Sequence, residues 1–290
     1  MISSISIIFG IIAMFGFGLS NAISQIPSKE IGSRKTIFFR NIFVSILLLL
    51  TLLFFISESN FSIKYILIAF GISLIGYIPL VTFYEALRRG KVGIISPIAN
   101  SSVIFTVIFS TIFFHESLFF IQLVSIILIV IGIILTSLNF RDIKVSNLFK
   151  VSSGIPCALI TCFLWGLVFF LFKIPVMALG PILTSFITEF GIMLFSGINL
   201  QISKISFNVP EKKILRYIFF VAFFGAIGTL FFNLGINEET SSVSIVAALT
   251  FASPLVAMLY GKFIYKEKLN IQQWLAIALI LIGIITISYF

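Results

Sequence analysis

Charged residues are scarce in this sequence. Asp, Glu, Lys and Arg together make up 10% of its 290 residues, whereas hydrophobic residues make up 60%. A soluble globular domain contains about 25% charged residues, because it must cover its surface with polar groups. The composition therefore excludes a water-soluble domain and predicts an integral membrane protein.

Residues that bind metal ions or carry covalent catalysis are also scarce. The chain has one histidine, His115, and two cysteines, Cys157 and Cys162, five positions apart in one apolar segment. This spacing fits neither a disulfide framework nor a metal site. The sequence also lacks a phosphate-binding loop and any pattern that pairs a nucleophile with a base. We therefore expect no cofactor, no metal ion and no enzymatic activity.

Long hydrophobic runs fill most of the chain instead. Each of ten runs has about 20 mainly apolar residues, the length of a helix that crosses the roughly 30 Å core of a bilayer. The runs lie near residues 5–26, 36–56, 63–87, 92–113, 118–138, 153–174, 181–200, 214–235, 242–263 and 270–289. They are continuous and lack the alternation that marks a membrane β-barrel. The sequence predicts an all-α integral membrane protein with ten transmembrane helices.

An internal repeat relates the two halves of the chain. Residues 92–137 align without gaps on residues 243–288, at a constant offset of 151, and 14 of the 46 pairs are identical. Phe17-Gly18 also matches Trp165-Gly166, at an offset of 148. Helices 1–5 thus correspond to helices 6–10, and because five is odd, the second half must cross the membrane in the opposite direction. The predicted architecture is two inverted five-helix repeats, over residues 1–141 and 152–290.

The loop charges predict an orientation in the membrane. Loops 1–2, 3–4, 5–6, 7–8 and 9–10 hold 16 Lys and Arg residues, and the opposite side holds only Lys64 and Lys173. Positive loop residues stay on the cytoplasmic side. We therefore expect a multi-pass protein of the cell membrane, plasma or inner, with both termini outside. Anionic headgroups explain the net charge of +9, so no nucleic-acid partner is needed.

Several motifs follow one another along the chain, and the last of them occurs in both halves. They are Leu164-Trp165-Gly166 with Phe169 and Lys173 downstream, Arg40 near the start of helix 2, and a proline followed by a glutamate and a glycine-centred aliphatic run, Pro97 to Glu116 and Pro254 to Glu267. Together they resemble the EamA-type transporters of the drug/metabolite transporter superfamily, over essentially the whole chain. The resemblance implies ten helices, a central cavity, alternating access, and a substrate among amino acids, nucleobases, sugars and other metabolites. It also implies cytoplasmic termini, against this chain's charge bias.

Two charged residues fall inside predicted helices. Glu189 lies about eight residues into helix 7, roughly 12 Å along its axis. Ionisable residues at such depth are candidates for function. Glu189 is either a site for a coupling proton or a substrate amine, or a structural carboxylate paired between helices. Arg40 lies at nearly the equivalent position, at an offset of 149. It either extends to the headgroups, or it binds a substrate carboxylate or pairs with Glu189.

Polar and aromatic residues inside the helices form the remaining candidates. Lipid offers no hydrogen-bond partners, so such groups face either a cavity or another helix. The predicted substrate-binding residues are Asn21, Tyr84, Asn100, Trp165, Glu189, Asn233, Thr250 and Ser253. For the aromatic members, a place in the core or against lipid is the alternative.

Helices 4 and 9 share two further features. Pro97 and Pro254 lie inside them and should kink them, because proline removes a backbone donor and clashes with the preceding turn. Both are predicted hinges, and packing kinks without function are the alternative. Glu116 and Glu267 follow at matched helix ends, where a carboxylate is favoured near unsatisfied amides. We expect them to be helix caps or gate elements.

These features together predict a secondary active transporter of a small polar or amphipathic metabolite, with amino acids among the candidates and protons as the candidate coupling ion. The alternatives are an intramembrane enzyme that modifies lipids and a lipid translocator. An enzyme would need clustered polar residues at one membrane face, and a single histidine argues against that. A translocator would have a groove open to lipid.

Overall fold

The computed structural model describes residues 4–56, 60–137, 150–238, 241–264, 266 and 269–289. Within these ranges the regular structure is helical, and no strand is present. The helices are α1 (Ser4–Ile31), α2 (Ser33–Phe54), α3 (Ile63–Arg89), α4 (Val92–Asn100), α5 (Val103–Phe113), α6 (Phe120–Ser137), α7 (Ile155–Leu171), α8 (Lys173–Leu179), α9 (Pro181–Ile202), α10 (Lys212–Asn237), α11 (Val243–Phe251), α12 (Pro254–Ile264) and α13 (Ile271–Tyr289). Most of the junction between the repeats, 138–149, lies outside the described residues.

These helices form ten membrane crossings. The pairs α4–α5, α7–α8 and α11–α12 each make one crossing, and nine crossings of the described chain are long and apolar enough to span a bilayer. The tenth is α6, whose 18 residues extend roughly 27 Å at 1.5 Å per residue. The ten helices expected from the sequence are confirmed.

Helix packing follows an inverted repeat. α1 packs most extensively against α10, and α7 packs against α3, which is the same relationship with the halves exchanged. α2 with α9, and α6 with α13, pair across the pseudo-two-fold axis. Side-chain detail obeys the same symmetry: a β-carbon added to Gly132 would lie 3.0 Å from Ala276 O, and one added to Gly283 would lie 2.8 Å from Ser125 O. The two inverted repeats expected from the sequence are confirmed.

Matched glycines end the first helix of each repeat. Gly32 is the single residue between α1 and α2, and Gly180 is the single residue between α8 and α9. Their φ angles are 83° and 87°, with extended ψ, a conformation open almost only to glycine. The sequence placed the start of helix 2 near residue 36, because polar residues precede it. α2 instead begins at Ser33, so Arg40 is its eighth residue and lies deeper than expected.

Helices 4 and 9 are broken at equivalent positions. The breaks fall at Ser101-Ser102 and at Ala252-Ser253, which match at an offset of 151. Pro97 lies four residues before the first break, and Pro254 begins the helix after the second. The repeat equivalent of Pro97 is Ala248, so the breaks are shared whereas the prolines are not. The role of both prolines as hinges stays a prediction.

Candidate functional site

A cavity of about 80 Å³ lies between the two repeats, which is enough for several ordered waters. Helices from both halves line it. The lining residues are Phe17, Ser20, Asn21, Arg40, Ile72, Ser73, Gly76, Leu80, Tyr84, Asn100, Trp165, Val168, Phe169, Phe172, Thr188, Glu189, Ile192, Thr229 and Phe251. We call the polar lining residues the polar side of the cavity and the apolar lining residues its apolar side.

An ion pair between the halves forms the charged part of the wall. Arg40 Nη1 of α2 lies 2.7 Å from Glu189 Oε2 of α9. Both residues are 5% exposed. Two unit charges at such depth are costly unless they are paired and hydrogen-bonded, and each supplies the partner the other needs. Arg40 therefore turns inward, not to the headgroups.

Two uncharged residues complete the hydrogen bonding of the pair. Asn41 Nδ2 donates to Glu189 Oε2 at 2.8 Å and to the Glu189 carbonyl at 3.1 Å, and Asn41 Oδ1 accepts from Arg40 Nη1 at 2.9 Å. Thr229 Oγ1 donates to Glu189 Oε1 at 2.7 Å. Both carboxylate oxygens thus have partners. Arg40 Nε, by contrast, is buried and has no hydrogen-bond partner in the described chain.

An unpartnered buried donor beside a cavity needs an explanation, because most buried polar groups find a partner. Arg40 lines the cavity together with Tyr84 and Asn21. A solute with an acceptor group in this space would satisfy the guanidinium. The polar side of the cavity therefore has the chemistry of a carboxylate-binding site next to a carboxylate that could bind an amine.

The apolar side of the cavity is rich in aromatic rings. Phe17 and Phe169 make an edge contact with ring centroids 5.9 Å apart. Trp165 packs against Phe83, with centroids 4.7 Å apart. Rings in such contacts hold one another in place and present apolar surface to the space between them. This side suits the apolar part of an amphipathic solute.

The structure brings together six of the residues that the sequence singled out. They are Asn21, Arg40, Tyr84, Asn100, Trp165 and Glu189. Asn233, Thr250 and Ser253 do not line this cavity. Asn233 donates to Ser185 Oγ at 2.8 Å, Ser253 donates to Asn100 Oδ1 at 2.9 Å, and Thr250 is buried without a hydrogen-bond partner in the described chain. Asn233 and Ser253 thus join helices, and Ser253 supports a residue of the cavity wall.

Asn41 and Thr229 are site residues that the sequence reasoning missed. Asn41 directly follows Arg40 and is fully buried. Its side-chain amide inside a mainly apolar helix could have marked it in the sequence as a candidate site residue. Thr229 gave no such signal, because threonine in a membrane helix commonly bonds its own backbone. Which face of α10 meets Glu189 depends on how α9 and α10 pack against each other within the second half.

A second polar cluster joins the halves, and its residues do not line the cavity. Glu116, between α5 and α6, accepts hydrogen bonds from the backbone amides of Val243 and Ser244 at 2.7 and 3.1 Å. It also accepts from the Ser242 and Ser244 hydroxyls at 2.8 and 2.7 Å, and Lys173 Nζ lies 4.0 Å away. Glu116 thus caps α11 of the other repeat. Its repeat equivalent, Glu267, lies outside the described residues.

Comparison with known proteins settles the family. The model of the EamA-like transporter family matches residues 4–138 and, a second time, residues 152–289. The chain belongs to the EamA-like transporter family. EamA-like proteins are membrane transporters of small solutes, not enzymes, so this chain is a multi-pass membrane transporter.

Other comparisons bear on the fold alone. No curated protein matches the sequence significantly. One solved crystal structure of a protein aligns with a TM-score of 0.74, over 99% of this chain and 96% of its own, at 14% sequence identity. The EamA-like architecture of ten helices is therefore shared with a chain of very different sequence.

Proposed function

We propose that this EamA-like chain is a secondary active transporter of small amphipathic zwitterions, with amino acids as the leading class. The observation that carries the proposal is the buried pair of Arg40 and Glu189 at the cavity wall. The same cavity has an aromatic side. A solute with a carboxylate, an ammonium group and an apolar side chain complements all three features.

Charge balance selects the zwitterion over a singly charged solute. Arg40 and Glu189 neutralise each other when the cavity is empty. A zwitterion can place its carboxylate on Arg40 and its ammonium on Glu189, so both charges keep a partner throughout. A solute with one charge would leave either Arg40 or Glu189 buried without a counter-ion. Such an unpaired buried charge destabilises a protein by about 3–5 kcal/mol.

Transport by alternating access would follow from the inverted repeats. The two units, residues 1–141 and 152–290, would rock about the central pair, and the equivalent helix breaks at Ser101-Ser102 and Ala252-Ser253 would serve as hinges beside Pro97 and Pro254. Glu189 is the candidate proton site, because a carboxylate between the halves can exchange a bound substrate amine for a proton. The loop charges favour an orientation with both termini outside the cell.

Competition in liposomes tests the substrate class. The full chain is reconstituted and the counterflow of a labelled zwitterionic amino acid with an apolar side chain is measured. The competitors are the unlabelled amino acid, its N-acetyl derivative and its amide. Each derivative keeps one charge, and loss of one charge-assisted hydrogen bond should weaken competition about tenfold or more. Equal competition by all three would rule out recognition of the zwitterion.

A further inference from the structure

A second cavity lies at the face of the molecule that holds most lysines and arginines. Its volume is about 360 Å³. It is formed by the first residues of α2, the last turn of α3 and the segment after α9. The lining residues are Ile31, Gly32, Ser33, Arg34, Lys35, Val81, Glu85, Arg88, Arg89 and Ile205. We call this space the basic pocket.

Four cationic side chains and one carboxylate line the basic pocket. Glu85 accepts from Arg88 at 2.7 and 3.0 Å and from Arg89 Nε at 2.7 Å, so the single carboxylate is shared by two guanidinium groups. Arg34 Nη1 donates to the hydroxyl of Ser203 at 2.7 Å. That contact holds the guanidinium in place without neutralising it. The lining residues thus carry a net charge of about +3 at neutral pH.

The start of α2 adds to this positive potential. Gly32 at its N-cap offers no side-chain hydrogen bond, and Lys35 has no ion-pair partner in the described chain. The positive end of a helix dipole and several cations that converge on one space repel one another unless an anion occupies it. An anion with several acceptor oxygens would relieve this repulsion.

The fold does not require the basic pocket. The repeat equivalents of Arg34 and Lys35, at an offset of 148, are Ile182 and Leu183. Both are buried in an apolar cluster to which both halves contribute. The fold therefore accommodates apolar residues at these positions. The cations of the first half depart from the symmetry of the inverted repeat.

The surface next to the basic pocket favours a lipid as the source of the anion. Phe38, one turn into α2 from Arg34, packs against Phe207 with ring centroids 5.3 Å apart. Phe207 is 47% exposed and Ile202 is 74% exposed. Apolar surface thus continues from the charged pocket along the helices, in the arrangement of a phospholipid headgroup and its acyl chains. Basic pockets between transmembrane helices recognise anionic headgroups in this way.

We propose that the basic pocket binds a phosphate group, and that its source is an anionic phospholipid. Arg34 and Lys35 bind the phosphate, and Glu85 positions Arg88 and Arg89 beside it. The acyl chains lie on the exposed surface of Phe38 and Phe207. This site is separate from the central cavity and does not depend on the identity of the transported solute.

Lipid titration of the purified full chain tests the proposal. Dissociation constants for phosphatidylglycerol and phosphatidylcholine are measured by native mass spectrometry in detergent, and inorganic phosphate is titrated in parallel while thermal unfolding is followed. The wild-type chain should bind phosphatidylglycerol more tightly than phosphatidylcholine. In the double variant R34Q/K35Q the affinity for phosphatidylglycerol should fall roughly 30-fold, because each basic residue near an anionic headgroup contributes about 1 kcal/mol and the loss of both therefore costs about 2 kcal/mol.

Matched variants separate the pocket from overall charge and from folding. K212Q/K213Q removes two exposed lysines from the start of α10, another helix that begins at the same face, and should leave the affinity unchanged. Ser203→Ala removes the hydrogen bond to Arg34 but no charge, and should also retain binding. Equal losses in R34Q/K35Q and K212Q/K213Q would overturn the proposal. Stabilisation of the wild-type chain by inorganic phosphate alone, with no preference for phosphatidylglycerol, would overturn the lipid assignment.

Discussion

Asn41 and Glu189 are both the ninth residue of their helices, α2 and α9, and they contact each other across the pseudo-two-fold axis. Asn41 Nδ2 lies 2.8 Å from Glu189 Oε2. The helix starts at Ser33 and Pro181 make them repeat equivalents. Arg40 is therefore the equivalent of Thr188, not of Glu189 as the sequence comparison suggested. An inverted repeat brings its equivalent positions together at the axis, and here they differ in charge.

The ion pair should show strong energetic coupling. Removal of one partner, in R40Q or E189Q, leaves a buried charge without a counter-ion and should destabilise the chain by about 3–5 kcal/mol. The double variant R40Q/E189Q removes both charges and should cost less than the sum of the two, with a coupling energy of about 1–3 kcal/mol. Unfolding in mixed micelles measures all three variants. Additive effects would mean that the pair does not interact.

Close approach of helix 1 and helix 6 to the helix breaks should make two glycines intolerant of a side chain. A β-carbon on Gly18 would lie 2.8 Å from Ser253 O, and one on Gly166 would lie 2.8 Å from Ser102 O. Gly18→Ala and Gly166→Ala should each destabilise the chain by about 1–3 kcal/mol. Gly71→Ala is the matched control, because nothing lies within 4 Å of its added carbon. Unfolding midpoints in detergent measure all three; equal effects would refute the packing.

Glu116 should hold one end of the cavity closed. Its hydrogen bonds to the start of α11 connect the two repeats, and a charge-assisted bond of this kind contributes about 1.5–3 kcal/mol. In E116Q, labelling of a cysteine at position 229 by a membrane-impermeant thiol reagent from that side should accelerate about tenfold or more. E211Q is the control, since Glu211 precedes α10 without a side-chain cap hydrogen bond. An unchanged labelling rate in E116Q would exclude the gate.

Orientation is open to a direct check. The loop charges, 16 against two, predict that both termini lie outside the cell. A reporter that is active only in the cytoplasm, fused after Phe290, should therefore be silent, whereas the same reporter inserted in the loop after Arg89 should be active. The opposite pattern would show that the chain follows the usual orientation of its family.

The architecture could be predicted from the sequence because helix lengths and the internal repeat can be read from the residue order without knowledge of tertiary contacts. Matched residues such as Gly132 and Gly283 fix the halves against each other, and apolar runs of membrane length leave few alternatives. The site was harder to predict. In a membrane helix the lipid-facing side and the packed side are both apolar, so periodicity does not show which face of α10 meets Glu189. Thr229 was missed for this reason.

Helix boundaries and tertiary packing explain the remaining differences between the residues expected at the site and those observed there. The sequence pattern predicts a shallow position for Arg40, because the polar residues before it indicate a loop up to about residue 36. The chain turns at Gly32 alone, and the polar segment stays helical on both sides of it. Asn233 and Ser253 are buried polar residues, but Asn233 hydrogen-bonds Ser185 of α9 and Ser253 hydrogen-bonds Asn100 of the cavity wall. Their partners depend on tertiary packing.

Substrate flux in Glu189→Gln shows directly whether the buried carboxylate takes part in transport. The variant and the wild-type chain are reconstituted in liposomes at equal density, after both elute as folded, monodisperse protein, and counterflow of a labelled zwitterionic amino acid is measured across a range of pH. Arg216→Gln, which removes an exposed charge from α10, is the control. We expect flux to be lost in Glu189→Gln and kept in Arg216→Gln, because only Glu189 lines the central cavity. Wild-type flux with wild-type pH dependence in Glu189→Gln would contradict it.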